Sequence, residues 1–240
     1  MMNQRTAQNA KCLFVMRRAT IVALLVLIGA GQVEAVILGA IPLPGSSANF
    51  ADLVIEYDPL HSGGPGPTIP TATDADDALG IPDFPPGGGV GTPGAVSLGH
   101  GGLLELLFAD VLMTNTGDSA SDLYIIEVGP DVEDTFVGIR PTAFTAALLG
   151  SSYDSNNDGF YEVGKVLGST SFVDIDAFFP GFARATLYFD AIQLFDDINE
   201  GNVSGRTVGA DIDAVWVIPE PATIFLLGLG GLTVLGKRRR

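Results

Sequence analysis

The chain has 240 residues, of which 47% are hydrophobic and 17% charged, and its formal net charge is −16. Only four of the 12 basic residues but 26 of the 28 acidic residues lie between positions 36 and 218, so this body carries a formal charge of −22. Nucleic-acid binding needs basic patches and is therefore excluded. The body has the length of one domain, and its charge favours solubility outside the cell and attraction of divalent cations.

The first 35 residues predict a signal peptide. Basic residues precede an apolar run at 19–31, and Ala35 ends a stretch of small residues of the kind that a signal peptidase reads. We expect cleavage after Ala35, because the apolar run is too short for a transmembrane anchor. Translation from Met1 and translation from Met16 are both consistent with this pattern.

Cysteine usage points to the same compartment. The single cysteine, Cys12, falls inside the predicted signal peptide. The mature body therefore has no disulfide and must be held by its core and by ions. Thiol catalysis and zinc–thiolate sites are excluded for it as well.

Residues 36–94 are predicted to form a lead-in strand followed by a loop region. The strand is placed at 53–57, where β-branched and aromatic residues cluster. Residues 61–94 are dense in glycine and proline and predict a long loop without a helix.

Residues 95–218 predict the main β-sandwich. Eight segments favour strands and are separated by short turn signals: 95–98, 103–108, 123–128, 135–139, 160–167, 171–175, 185–194 and 210–218. Two segments, 102–111 and 142–149, also fit a helix, and the first of them is assigned to a strand because its leucines fit a buried strand equally well. The fold class is therefore all-β.

Four short motifs resemble the discoidin-like, galactose-binding-fold domains. They are ALGIPD at 78–83, VSLGHGG at 96–102, DLYIIEVG at 122–129 and GADIDAV at 209–215. The resemblance implies a jelly-roll-like β-sandwich that binds carbohydrate or other surface ligands through loops at one end. Where relatives often carry tryptophan, this chain has Phe160 and Tyr161, and no sugar-binding residue is carried over.

The strongest chemical motif is an acidic turn. Asp154, Asn156 and Asp158 place oxygen side chains at alternate positions before a glycine, which is how a short loop wraps Ca²⁺. An EF-hand would need glutamate where Lys165 stands, so the motif is not an EF-hand. The alternative is a plain hairpin turn, in which the same residue types are favoured by the backbone alone.

A second acidic cluster consists of Asp74, Asp76 and Asp77, inside the glycine- and proline-rich loop. As Ca²⁺ ligands they would fasten this loop without disulfides. The alternative is a solvated loop.

The tetrapeptide Asp-Ile-Asp-Ala occurs at 174–177 and again at 211–214. In a strand both aspartates would share one face, and paired carboxylates suit glycoside hydrolysis. A core-facing isoleucine with solvent-facing acids is the favoured interpretation. With two histidines, His61 and His100, and no Gly-x-Ser-x-Gly elbow, the sequence favours a protein that is not an enzyme.

The C-terminus has three parts in fixed order. Pro219, Glu220 and Pro221 form a rigid polar stop, residues 222–236 form an uncharged apolar run, and the chain ends in a basic cluster made of Lys237, Arg238, Arg239 and Arg240. The run is shorter than the roughly 20 residues of a comfortable span. The basic end is expected to stay cytoplasmic. The pattern predicts a short transmembrane helix that is held briefly and then processed.

This order resembles the PEP-CTERM sorting signal of bacterial envelope proteins. The resemblance assigns residues 219–240 to the signal and implies an exosortase-type enzyme that cleaves near 219–221. It implies export in a Gram-negative bacterium, with the inner membrane in transit and the cell surface or extracellular matrix as destination. We therefore expect a surface or matrix protein that engages exopolysaccharide, with a calcium-dependent carbohydrate-binding module and a glycoside hydrolase as alternatives.

Overall fold

The computed structural model of the protein describes residues 35–38, 41–44, 49–129, 133–201 and 203–218, the first two ranges by their backbone only. The chain divides into two units, residues 1–46 and 47–240. In the first unit, strands β1 (Ala35–Leu38) and β2 (Ile41–Pro44) form an antiparallel pair. The predicted signal helix and C-terminal membrane helix lie outside the described residues. No helix within the described ranges has the length and apolar character that a membrane span requires.

The second unit is built mainly from β-strands. In chain order they are β3 (Leu53–Asp58), β4 (Val96–Ser97), β5 (Leu103–Leu107), β6 (Met113–Thr114), β7 (Leu123–Glu127), β8 (Asp134–Pro141), β9 (Tyr161–Leu167), β10 (Thr170–Val173), β11 (Tyr188–Asp196) and β12 (Asp211–Val217). They form a four-stranded sheet in the order β10-β7-β12-β4 and a six-stranded sheet in the order β3-β5-β11-β8-β9, with β6 paired to β11. Every pairing is antiparallel.

Among the residues that the structure describes, helical structure is limited to short connecting segments. The α-helices are α1 (Ala143–Leu149) and α2 (Ile175–Phe178), and 3₁₀ turns occur at Pro70–Ala72, Ala75–Ala78 and Ser151–Tyr153. The hydroxyl of Thr142 accepts a hydrogen bond from Thr145 N and so caps α1.

The two sheets pack on one hydrophobic core, because alternate residues of each strand point inward. Leu104 and Leu106 of β5 and Ile192 and Leu194 of β11 belong to the same buried cluster as residues of the four-stranded sheet, namely Val96, Leu123, Ile125, Ile212, Val215 and Val217. Trp216 is also buried and packs edge-on against Tyr124, at 4.6 Å between ring centroids. The arrangement is a β-sandwich, and Trp216 is one of its packing residues.

Most predicted strands are confirmed. Of the two segments that also fit a helix, residues 142–149 contain the helix α1, and residues 102–111 contain the strand β5, as assigned. Two details differ. The loop at 61–94 was predicted to lack helices, which is wrong, because two short 3₁₀ turns form there. The segment at 171–175 does not stay extended to its end, because Ile175 begins α2. The domain limits drawn from the sequence stay predictions.

Candidate functional site

The acidic turn leads into β9 and is closed by hydrogen bonds that its own backbone N–H groups donate to its side chains. Asp154 accepts hydrogen bonds from Asp158 N and Gly159 N, both over 3.1 Å. Asn156 Oδ1 accepts from Asp158 N over 3.0 Å, and Asp158 Oδ1 accepts from Phe160 N over 2.8 Å. These are the bonds by which Asx turns stabilise a tight reversal.

The three predicted Ca²⁺ ligands therefore lie together in one exposed loop. The oxygens of Asp154, Asn156 Oδ1 and Asp158 Oδ1 keep a second lone pair that a cation could use, whereas Asp158 Oδ2 accepts two N–H groups. Calcium binding by Asp154, Asn156 and Asp158 stays a prediction.

The second acidic cluster stabilises the glycine- and proline-rich loop through hydrogen bonds within that loop. The carboxylate of Asp74 accepts from Asp76 N and caps the 3₁₀ turn Ala75–Ala78. Asp77 accepts from Gly94 N over 3.1 Å, and burial raises the pKa of Asp77. Asp76 is exposed. A metal at these residues stays a prediction, and two of the three carboxylates already bind backbone amides.

The two copies of Asp-Ile-Asp-Ala adopt different structures. Asp211 and Asp213 lie on β12, but Asp174 caps α2 and Asp176 lies in its first turn. The expectation of a second strand pair was therefore wrong at Asp174 and Asp176. The helix forms because the Asp174 carboxylate accepts from Ala177 N.

The favoured interpretation placed both aspartates of β12 toward solvent, and this is wrong for Asp213. Asp213 is 2% exposed and accepts hydrogen bonds from Asp83 N and Phe84 N. Burial raises its pKa to about 6. Asp211 instead accepts from the hydroxyl of Ser97. Asp211 and Asp213 therefore bind two different parts of the body. A register irregularity in β12 separates Ile212 from Ala214.

Further buried carboxylates were not singled out from the sequence. Asp122 accepts from Thr116 N and Ile175 N, each over 2.8 Å, and burial raises its pKa to about 6. Glu127 accepts from Glu133 N and Ser169 N, and burial raises its pKa to about 8. Both lie in the DLYIIEVG motif, whose two acidic residues were the available signal.

In the described part of the chain, two groups of three carboxylates come close enough to share a cation. In one, made of Asp122, Asp174 and Asp176, the acids bind backbone amides of nearby turns. In the other, made of Asp134, Asp197 and Glu200, the ammonium of Lys165 contacts all three. The hydrogen bonds that Lys165 donates to these carboxylates raise the pKa of its ammonium group.

The outer face of the six-stranded sheet carries a shallow depression of about 740 Å³, which we call the sheet groove. Its floor includes Gly138 of β8 and Gln193 of β11, which are direct neighbours across the strands. The acidic turn forms part of its rim through Asn156 and Asp158. Sequence reasoning placed the ligand site at loops and did not find this groove.

Comparison with known proteins identifies one feature of the chain. The family model described as the PEP-CTERM protein-sorting motif matches residues 217–240. No curated protein and no solved structure matches the chain. The motif suggests an exported protein that is processed by an exosortase and passes through a membrane before surface display. Apart from Val217 and Ile218, the matched residues lie outside the described ranges.

Proposed function

We propose that this protein is a non-enzymatic component of the cell surface or extracellular matrix of a Gram-negative bacterium, associated with exopolysaccharide. The observation that carries the proposal is the sorting motif at residues 217–240. A predicted signal peptide at 1–35 supports the proposal, since the signals at both ends of the chain would then direct it to export. Signal peptidase and an exosortase-type enzyme are the processing partners.

The composition of the body is suited to an extracellular environment. It contains no cysteine, and its formal charge of −22 keeps it soluble. Its aspartates fasten loops by accepting backbone hydrogen bonds, as Asp213 does from Asp83 N. The stability of the fold therefore does not depend on redox conditions.

The discoidin-like jelly roll is the finer part of the proposed fold. It is supported by two packed antiparallel sheets and by the place of the quoted motifs in them. The DLYIIEVG motif contains β7 and the GADIDAV motif contains most of β12, and these strands are neighbours at the centre of the four-stranded sheet.

Intact-mass analysis of the protein from the native envelope and medium tests the proposal. We expect a product that starts near Val36 and ends near residues 219–221. Replacing Pro219, Glu220 and Pro221 by alanine should leave an unprocessed C-terminus, whereas Glu200→Gln in the body should be processed normally. A wild-type product that still ends in Arg240 within the inner membrane would overturn the sorting claim.

The acidic turn favours a second candidate, a calcium-dependent carbohydrate-binding module. Its oxygen ligands lie at the rim of the sheet groove, so a bound cation would border a ligand there. Retention on the exopolysaccharide of the producing cells, compared with and without a calcium chelator, separates this candidate from a purely structural coat protein.

A glycoside hydrolase with paired aspartates has less support. Asp211 and Asp213 bind different groups, and Asp213 is buried under Asp83 and Phe84. We expect no sugar release from the wild-type protein. Release that disappears in Asp211→Asn or Asp213→Asn would instead establish hydrolysis.

A further inference from the structure

The sheet groove has an ordered floor, because one row of residues in register crosses five strands. Glu56 of β3 pairs with Glu105 of β5, and Glu105 pairs with Gln193 of β11. Gln193 pairs with Gly138 of β8, which pairs with Glu162 of β9. We call this the polar row. With strands about 4.8 Å apart, it runs for about 19 Å perpendicular to them.

A second row in register runs beside the polar row and is apolar at its centre. Leu103 of β5 pairs with Phe195 of β11, and Phe195 pairs with Phe136 of β8. The ring of Phe136 is 43% exposed on the surface of an inner strand, and Phe195 is partly exposed. Exposed aromatic rings at the centre of a sheet offer flat apolar faces to a ligand.

The polar row offers hydrogen-bond acceptors. The side-chain amide of Gln193 donates to Glu105 Oε1 over 2.9 Å and to Asp158 Oδ2 over 3.0 Å, so both of its N–H groups are used within the protein. The remaining side chains of the row are the carboxylates of Glu56, Glu105 and Glu162. A ligand along this row must therefore supply donors.

The charge of the groove is negative, and its nearby cations are already engaged. Arg140 Nε donates to Asp190 Oδ1 over 2.7 Å. Lys165, beside Phe136, is bound by three carboxylates of its own. Charge complementarity thus excludes an anionic polysaccharide and favours a cationic ligand.

A glycan fits these conditions better than a basic peptide. The backbone groups of the inner strands under the groove are taken by the sheet, so a peptide cannot add there as an extra strand. A sugar chain presents hydroxyl and ammonium donors along its edges and C–H faces toward aromatic rings. Ammonium groups also gain from the faces of aromatic rings such as Phe195, while the Phe136 ring already has Lys165 Nζ at 5.8 Å from its centroid.

We propose that the sheet groove binds a linear glycan bearing free amino groups, such as a glucosamine polymer, with its donors on the polar row and its apolar faces on Phe136 and Phe195. This inference rests on the proposed function and names the chemistry of the polysaccharide. The amine supplies both the positive charge and the donors that the groove lacks.

Isothermal titration calorimetry of the full chain in mild detergent tests the inference with glucosamine oligosaccharides. We expect binding that weakens about tenfold in Phe136→Ala and about fivefold in Glu56→Gln or Glu105→Gln. Phe172→Ala is the matched control, because Phe172 is 46% exposed but lies on β10 of the other sheet. Thermal melting confirms that each variant is folded.

The comparison ligands decide between occupants. Neutral cello-oligosaccharides and fully N-acetylated oligomers should bind more weakly, and oligogalacturonate should not bind. Equal binding of neutral chains, or oligolysine binding that Phe136→Ala weakens as much, would overturn the amine-bearing glycan as occupant. If glucosamine oligomers do not bind while the protein is still processed and retained in the matrix, the inference fails and the proposed function stands.

Discussion

The side-chain amide of Gln193 donates a hydrogen bond to Asp158 Oδ2 over 3.0 Å, and this bond joins the floor of the sheet groove to the acidic turn. Asn156 Nδ2 donates to the same oxygen over 2.9 Å. The last predicted Ca²⁺ ligand is therefore also a contact of the groove. A cation coordinated by Asp158 Oδ2 would compete with Gln193 for this oxygen.

Calcium should stabilise the protein through the acidic turn. At a concentration a hundredfold above the Kd, a bound ion raises the free energy of unfolding by about 2.7 kcal/mol. Asp154→Asn and Asp158→Asn should each abolish most of this gain, while Asp118→Asn, in a different exposed turn, should keep it. Thermal melting with and without Ca²⁺ measures the effect. An equal gain in all three variants would remove the turn as the binding site.

The protein should lose stability as the pH rises from about 5 to about 8. Burial raises the pKa of Glu127 to about 8 and those of Asp122 and Asp213 to about 6, so the folded state holds protons that the unfolded state releases. The stabilisation is complete below the unfolded pKa values and disappears as the pH passes the folded ones. For Glu127 the change is on the order of a few kcal/mol.

Chemical denaturation at a series of pH values tests this expectation. Glu127→Gln should flatten the decline, because the titrating group is gone. Glu56→Gln, a substitution at an exposed site, should leave it unchanged. A decline of the same steepness in Glu127→Gln would assign it to other groups.

Lys165→Gln should destabilise the protein more than the loss of an exposed ion pair does, because Asp134 and Asp197 are buried and would lose their shared cation. The loss should stay below that of a fully buried pair, since the Lys165 side chain is 28% exposed. Glu200→Gln, at the exposed end of the same group, should cost less than about 0.5 kcal/mol. Urea unfolding gives both values, and equal losses would contradict the burial argument.

Gly99→Ala should destabilise the protein by about 3 kcal/mol, the sum of a strained backbone and a steric conflict. Gly99 has a φ of +84°, and an added Cβ would lie 2.1 Å from Pro59 O. Gly63→Ala is a matched control, because Gly63 has a φ of +77° but open space around it, and should cost about 1 kcal/mol. Similar losses at both positions would show that close packing at Pro59 is not the cause.

Sequence patterns predicted the strands well where β-branched and aromatic residues cluster, as in β7 and β12. They failed where a side chain decides the local structure. The same four residues, Asp-Ile-Asp-Ala, form the start of α2 and part of β12. In β12 the β-branched and aromatic run that follows favours a strand, whereas Asp174 caps a helix.

The sheet groove could not be predicted from the sequence, because it depends on the order of the strands in the sheet. Its polar row combines residues from strands that are far apart in the chain, in the order β3-β5-β11-β8-β9. Register shifts after Val54 and after Phe136 bring Glu56 and Gly138 into this row. A regular alternation of period two does not reveal such shifts. The acidic turn was found because its residues are contiguous.

The end of β12 has a mechanical consequence. This strand pairs with β7 on one side and β4 on the other, and Ile218 N still donates to Asp122 O over 2.8 Å. The sorting motif begins at residue 217, which is the last residue of β12, so no linker separates the motif from the sheet. A pull on the C-terminus is therefore borne by an interior strand that is hydrogen-bonded to neighbours on both sides, so it would load several hydrogen bonds at once.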